Sequence, residues 1–262
     1  MGMNSEKDGR DRELNDVYAG KNPVAEALAA GIVFDTVFVT RKDGPIAPLI
    51  AKCVKEGALI KEVHPSKLDA LAGGAIHQGI VGVASSAKPA ELDDVFKAAA
   101  EKGEPVLILI ADDIQDPHNL GALIRSAECA GAHGVIVPKH RSAMLGGVVA
   151  KSSAGAVSHI PIVKVSNLVN TMKELKQQGV WIYGADMDGG DFYKTDLTGP
   201  SAIVIGSEGE GIGRLVKETC DGVISIPMKG KINSLNASVA GGILLFEATV
   251  QRKKKREAGM RA

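Results

Sequence analysis

Cysteine is scarce and unpatterned: Cys53, Cys129 and Cys220 are odd in number, far apart and form no C-x-x-C. That argues against a disulfide framework or a cysteine zinc site and fits a reduced, cytoplasmic setting. No apolar run approaches membrane-spanning length, and the polar first residues contain no hydrophobic signal segment, so no membrane partner is expected. Phosphate cradles are missing too. There is no G-x-x-x-x-G-K-[ST], and Gly209, Gly211 and Gly213 miss G-x-G-x-x-G because position 214 is Arg. Aromatic residues are only 3% of the chain against 45% apolar, a balance suited to an α/β core of Ala, Val, Ile and Leu.

Net charge is also absent, but its distribution is uneven. Residues 251–262 hold six basic groups and one acidic, whereas residues 89–250 hold 14 basic and 19 acidic. The basic segment Arg252–Lys253–Lys254–Lys255–Arg256 reads either as a solvated, disordered tail (252–262) or as a phosphate contact.

The 262 residues suffice for two modest domains. Residues 1–15 are charged and aperiodic, which predicts disorder. Residues 16–88 alternate helix and strand: helix from Asn22–Pro23 to Ala30, strand 36–39, helix 46–56, strand 59–63, helix 65–71, strand 80–83. Residues 89–104 read as a linker carrying a charged helix over 91–102. Residues 105–251 begin with Val106–Leu107–Ile108–Leu109–Ile110, a run typical of a strand covered on both faces. Further strands are expected at 135–137, 160–163, 180–183, 202–205 and 223–226, with helices at 120–130, 143–150, 165–177 and 213–219. This alternation predicts a parallel sheet flanked by helices. A last helix, 235 to about 252, is expected to bury Leu235, Val239, Ile243, Phe246 and Val250.

Two strands spill into small, polar loops: Ile205–Gly206–Ser207–Glu208–Gly209 and Ile226–Pro227–Met228 followed by Asn233–Ser234–Leu235–Asn236. Ligands of open α/β sheets bind beyond the carboxyl ends of strands. Two such loops imply one pocket, for a nucleoside-like ligand without a pyrophosphate. The plainer readings are that Asn119 caps a helix, Arg125 pairs with Glu128, Glu208 caps the helix near Gly213, and Asn236 sits in a first helical turn. Gly241 and Gly242 each cost about 0.8–1 kcal/mol in a helix, which suggests close approach by a backbone or a ligand. Asp112, Asp113 and Asp116 could hold Mg²⁺, but carboxylates near a strand end and helix start are common, and no metal is expected.

In order, Asn119–Leu120–Gly121–Ala122–Leu123–Ile124–Arg125–Ser126–Ala127, Ile205–Gly206–Ser207–Glu208–Gly209 and Ile226–Pro227–Met228…Asn233–Ser234–Leu235–Asn236–Ala237–Ser238 resemble the three motifs of the SpoU/TrmH family of SPOUT RNA 2′-O-methyltransferases. The first unit, with Gly20–Lys21–Asn22–Pro23 and His77–Gln78–Gly79–Ile80, resembles the ribosomal-protein-L30e-like substrate-binding domain of the subgroup that methylates guanosine in 23S rRNA. The resemblance implies a C-terminal trefoil-knotted parallel-sheet domain with a small N-terminal L30e-like α/β domain, working as a homodimer on ribosomal RNA. S-adenosylmethionine would bind in the knot at backbone groups around Gly206, Ile226 and Leu235. Arg125, Glu208, Ser234 and Asn236 map to polar active-site positions, and Asn119 to a residue supporting them. The rivals are a tRNA ribose 2′-O-methyltransferase, a non-catalytic RNA-binding protein of the same fold, and a Rossmann oxidoreductase. The last would need a glycine fingerprint where Asp116–Pro117–His118–Asn119 stands.

Overall fold

The computed structural model describes residues 16–259, which form two compact units. The expected disorder of 1–15 and the last three tail residues fall outside that range.

The first unit comprises residues 16–88 together with Met144–Lys151. Its sheet has strands β1 (Val17–Ala19), β2 (Phe34–Val39), β3 (Leu59–Glu62) and β4 (Ile80–Ala84) in the order β1-β4-β2-β3. Only β2 and β3 run parallel. All six residues of β2 are buried because both faces are covered. Val37 and Val39 pack with Val24 and Ala27 of α1 (Lys21–Ala29) and Ile50 and Cys53 of α2 (Ala47–Lys55). Phe38, on the opposite side, meets Leu68 of α3 (Pro65–Ala72) and Met144. Residues 144–151, expected in the second unit, thus belong to the first. The Leu145 N–H donates to the buried Asp35 Oδ1 at 3.0 Å, and the Ser86 N–H to the Leu145 carbonyl at 2.6 Å.

The second unit carries seven parallel strands in the order β11-β9-β10-β6-β7-β8-β5. They are β5 (Pro89–Ala90), β6 (Leu107–Ala111), β7 (Gly134–Pro138), β8 (Ile162–Val165), β9 (Trp181–Asp191), β10 (Ser201–Ile205) and β11 (Gly222–Ser225). Every residue of β6 and β10 is buried, as the continuous apolar runs require. Strand order departs from β6 in both directions, which places a switch point beside β6 and β10. The segment read as a linker is built into this unit. Pro89–Ala90 pairs with β8, and Val95 and Ala99 of α4 (Leu92–Lys102) enter the core.

Three helices flank the strand ends that matter: α5 (Pro117–Cys129), α8 (Arg214–Thr219) and the 23-residue α9 (Ala237–Gly259); α6 (Gly147–Ser152) and α7 (Leu168–Gln177) complete the set. Two expectations for α9 are corrected. Its core face is Ala237, Gly241, Leu244, Leu245 and Ala248, whereas Leu235, Val239, Ile243, Phe246 and Val250 lie exposed. A Cβ on Gly241 would collide with Leu123 of α5, so small residues face inward to let the two helices approach closely. Residues 252–259 of the basic tail form the helix's last turns. Arg252 is fixed there by hydrogen bonds to the carbonyls of Pro105, Val106, Leu197 and Gly199 and to the Ser201 hydroxyl.

Candidate active site

A cavity of about 490 Å³ opens at the carboxyl ends of β9, β10 and β11. Three segments wall it: Ala185–Asp188, Ile205–Gly211, and the loop from Ile224 through Met228 and Asn233 to Leu235. The size suits one small ligand. Gly206 is required by the chain itself, because a Cβ there would overlap the backbone of Gly211. That closeness lets Ser207 and Gly211 exchange backbone hydrogen bonds at 3.1 and 3.0 Å, which folds Glu208–Glu210 out as a tight tip. Gly206, Ile226 and Leu235 all line the cavity, as do Glu208 and Ser234.

The first wall was not visible in the sequence. The register of β9 against β11 jumps from Gly184–Val223 to Gly190–Ile224, so residues 185–189 loop out of the ladder toward the cavity. The Ser225 hydroxyl donates to the Gly189 carbonyl at 2.9 Å and ties the excursion down. Asp186 on this loop pairs with Lys217 of α8 at 2.9 Å, and Asp188 lies 3.6 Å from the same ammonium. Burial, the largest single influence, pushes the Asp186 carboxyl up, but the Lys217 hydrogen bond and charge together with the Asp188 and Met187 N–H groups outweigh it and hold the group below the ordinary carboxylate range. Lys217 is raised in return, chiefly by Asp186. Asp186, Asp188, Glu208 and Glu210 face one lysine in the lining, so the cavity favours a cationic ligand.

Beside the cavity three distant segments meet. The Asn119 Nδ2 donates to Glu208 Oε1 at 3.1 Å, and the Asn236 Nδ2 donates to Asn119 Oδ1 at 2.9 Å and also to Glu208 Oε1. The plainer readings sort themselves out here. Asn119 does not cap α5; Asp116 does, accepting from the His118 N–H at 2.9 Å. Glu208 does not cap α8. Asp112 accepts the Gly213 N–H at 2.8 Å just before that helix, and burial lifts its carboxyl above the usual range. Asn236 does cap α9, its Oδ1 accepting from the Ser238 N–H at 3.0 Å, while its amide nitrogen joins the cluster. The three aspartates weighed for Mg²⁺ are separately engaged: Asp112 with Gly213, Asp113 with Gln115 at 2.6 Å, and Asp116 as the cap.

Arg125 stands apart. It lies exposed on α5, outside the cavity lining, with no hydrogen bond or ion pair to Glu128 or any other described residue. Six residues separate it from Asn119, about 9 Å along the helix and a third of a turn around it. Gly241 lets α9 approach Leu123 of α5, whereas a Cβ at Gly242 would make only ordinary contact with Ser126 at 3.5 Å, so helix packing does not require glycine there.

Comparison with known proteins adds to this geometry. Residues 106–246 match the model of the SpoU rRNA Methylase family, and residues 19–90 match the RNA 2′-O ribose methyltransferase substrate binding family. The chain is 44% identical to the 23S rRNA (guanosine-2′-O-)-methyltransferase RlmB of Photobacterium profundum, covering 91% of this chain and 99% of that one. It is 42% identical to the RlmB of Vibrio cholerae, covering 90% and 95%. Among solved structures it is similar to the SpoU methyltransferase AviRb of Streptomyces viridochromogenes in complex with AdoMet. There the identity is 27% and the TM-score 0.59, over 91% of this chain and 90% of that one. The TrmH/SpoU tRNA modifying enzyme of A. aeolicus is 31% identical with a TM-score of 0.54, over 58% of this chain and 78% of that one.

Proposed function

This chain belongs to the SpoU rRNA methylase family, and on that premise we propose that it transfers a methyl group from S-adenosylmethionine to the ribose 2′-hydroxyl of a guanosine in 23S rRNA. The observation that carries the reading is the convergence of Asn119, Glu208 and Asn236 at the edge of an acid-lined cavity at strand ends. Ribosomal RNA is favoured over tRNA because the RlmB relatives match through both units, whereas the A. aeolicus tRNA enzyme matches 58% of the chain.

The cavity fits S-adenosylmethionine. Its volume suits a nucleoside with a short tail, its excess of carboxylates suits a sulfonium cation, and Gly206, Ile226 and Leu235 would hold the adenosyl part through backbone groups. When bound, the cofactor supplies the electrophilic methyl group. The chain's own residues manage the acceptor. Glu208 gathers the Asn119 and Asn236 amides into one fixed constellation, and the Ser234 hydroxyl lies in the same lining. A guanidinium is a poor base, so the role of Arg125 is to hold a substrate phosphate and stabilise the alkoxide that develops as the hydroxyl attacks. The hydroxyl proton passes to water or phosphate.

The finer architecture follows the same reading: a trefoil knot through which the 226–236 loop threads, an L30e-like first unit that selects the RNA, and a cytoplasmic homodimer. The knot is supported by the return of the chain from edge strand β11 to α9, which packs on interior strand β10. The homodimer is supported by the uncovered apolar stripe of Val239, Ile243, Phe246 and Val250. Among the described residues no helix is long and apolar enough to cross a membrane. Calorimetric titration with S-adenosylmethionine in EDTA, with S-adenosylhomocysteine as competitor, tests the pocket. Displacement by a nicotinamide dinucleotide instead would overturn it.

A further inference from the structure

At the opposite, amino-terminal end of the large sheet lie two features that methyl transfer does not use. Trp181, the chain's one tryptophan, opens β9 and is 58% exposed. With Tyr183, Asp196 and Pro200 it borders a cavity of about 350 Å³. Its backbone is held: the Trp181 main-chain N–H donates to the Pro200 carbonyl at 3.0 Å, and the neighbouring Tyr183 hydroxyl donates to the Asp196 carbonyl at 3.3 Å. Just across the turn 198–200 is a larger cavity of about 750 Å³, walled by Lys102, Arg252, Lys253, Lys255 and Arg256 against one carboxylate, Glu104.

The cations exceed what a helix end calls for. One or two would balance the partial negative charge at the C-terminus of α9. Arg252, bound to four carbonyls and a hydroxyl two turns before the helix ends, adds a held positive charge beside Arg256 of the last turn. Lys253 and Arg256 are 68% and 66% exposed, the former 4.0 Å from Glu257 on the next turn and the latter 3.7 Å from Glu104. Lys255 reaches the Thr198 hydroxyl at 3.0 Å, which brings the basic row to the turn that carries Pro200 and Trp181. An exposed indole on a hydrogen-bonded strand, beside a row of cations, matches single-stranded nucleic acid, whose bases stack while its phosphates follow the charge.

We propose that this end of the second unit is an additional RNA-contact surface, where an unpaired base of the substrate stacks on Trp181 and adjoining phosphates are held by Lys253, Lys255 and Arg256. The proposal rests on the reading of the substrate as RNA. Lys253 lies 17 residues beyond Asn236, about 26 Å along α9, so this contact grips the substrate far from the methylated ribose.

The single tryptophan makes the test direct. The full-length protein is titrated with a 23S rRNA fragment, and with oligouridylate as an unstructured probe, while tryptophan emission is followed across a salt series. The expected result is saturable quenching by both, weakened as salt rises. Trp181→Leu should bind the fragment roughly 5- to 100-fold more weakly, with Trp181→Phe recovering much of the loss. Lys253→Glu/Lys255→Glu should weaken binding and flatten its salt dependence. Both variants should raise KM for RNA, with kcat and S-adenosylmethionine affinity unchanged. RNA binding that leaves the emission undisturbed, or variants that bind as tightly as wild type, would overturn the surface. So would emission that changes with protein concentration alone, which assigns Trp181 to self-association. Quenching without any ribose methylation would uphold the surface and overturn the assigned reaction instead.

Discussion

Asn236 donates its side-chain amide to Asn119 Oδ1 at 2.9 Å, joining the cap of α9 to the first turn of α5 across 117 positions of sequence. The other end of the same side chain accepts the Ser238 N–H at 3.0 Å, so a helix cap and the Asn119–Glu208 cluster share one residue. The two roles separate by substitution. Asn236→Ser keeps a capping oxygen and loses the amide donor; it should stay within a few tenths of a kcal/mol of wild type and lose methyl transfer by roughly 10²-fold. Asn236→Ala should lose the activity and also about 1 kcal/mol of stability. Urea denaturation with single-turnover transfer checks both, and a fully active Asn236→Ser would reduce the residue to its cap.

Arg125→Ala should leave S-adenosylmethionine affinity within a few-fold of wild type, because the residue lies outside the cavity lining. Methyl transfer should fall by roughly 10²–10³-fold, the usual loss when a hydrogen-bond donor to a developing oxyanion is removed, as the proposed role requires. Arg125→Lys should recover little, since an ammonium lacks the planar fork that grips phosphate. Calorimetry beside a transfer assay makes the comparison, and wild-type turnover in Arg125→Ala would leave the side chain a surface residue.

The stripe on α9 predicts the assembly. Ile243→Glu/Phe246→Glu alters two residues exposed by 37% and 47%, so the fold should survive while a self-complementary apolar face is lost. Sedimentation should find a wild-type dimer and a monomeric variant with unchanged circular dichroism. A wild-type monomer at micromolar concentration would contradict the dimer.

How much of this was legible in the sequence follows from what each signal depends on. The run Val106–Ile110 reads as a buried strand because both of its faces are apolar, and β6 is buried throughout. The segments around Gly206, Ile226 and Leu235 read as one pocket because strand-end loops converge in such sheets, and all three line it. The orientation of α9 was misread. Periodicity reveals an apolar stripe but not what covers it, and here Gly241, Leu244, Leu245 and Ala248 turn inward while Val239, Ile243, Phe246 and Val250 face out. Asp186 and Lys217 were missed because a five-residue excursion from a strand leaves no periodic trace. Their pairing depends on the register jump between β9 and β11.

His133 makes stability depend on pH. It is fully buried, its Nδ1 accepts the Leu107 N–H at 3.0 Å, and its Nε2 lies 3.6 Å from Glu104. Burial, reinforced by Lys102, pulls its pKa from 6.5 to about 4. Between those values the unfolded chain takes up a proton that the folded one refuses, so stability falls as pH drops from about 6.5 and levels off below about 4. The loss should be on the order of 3 kcal/mol. His133→Asn, which can still accept from Leu107, should flatten that slope in urea titrations at pH 7 and pH 4.5; an unchanged slope would assign it to other groups.

The most direct measurement of the central claim is to incubate the protein with methyl-labelled S-adenosylmethionine and 23S rRNA lacking its ribose methyl marks, then digest the RNA with alkali. A 2′-O-methyl group blocks cleavage at its own nucleotide, so label should appear in an alkali-resistant dinucleotide whose 5′ residue is guanosine. It should vanish in Arg125→Ala. Label released in mononucleotides would mean base methylation, and label confined to a tRNA control would mean a different substrate; either would contradict the account.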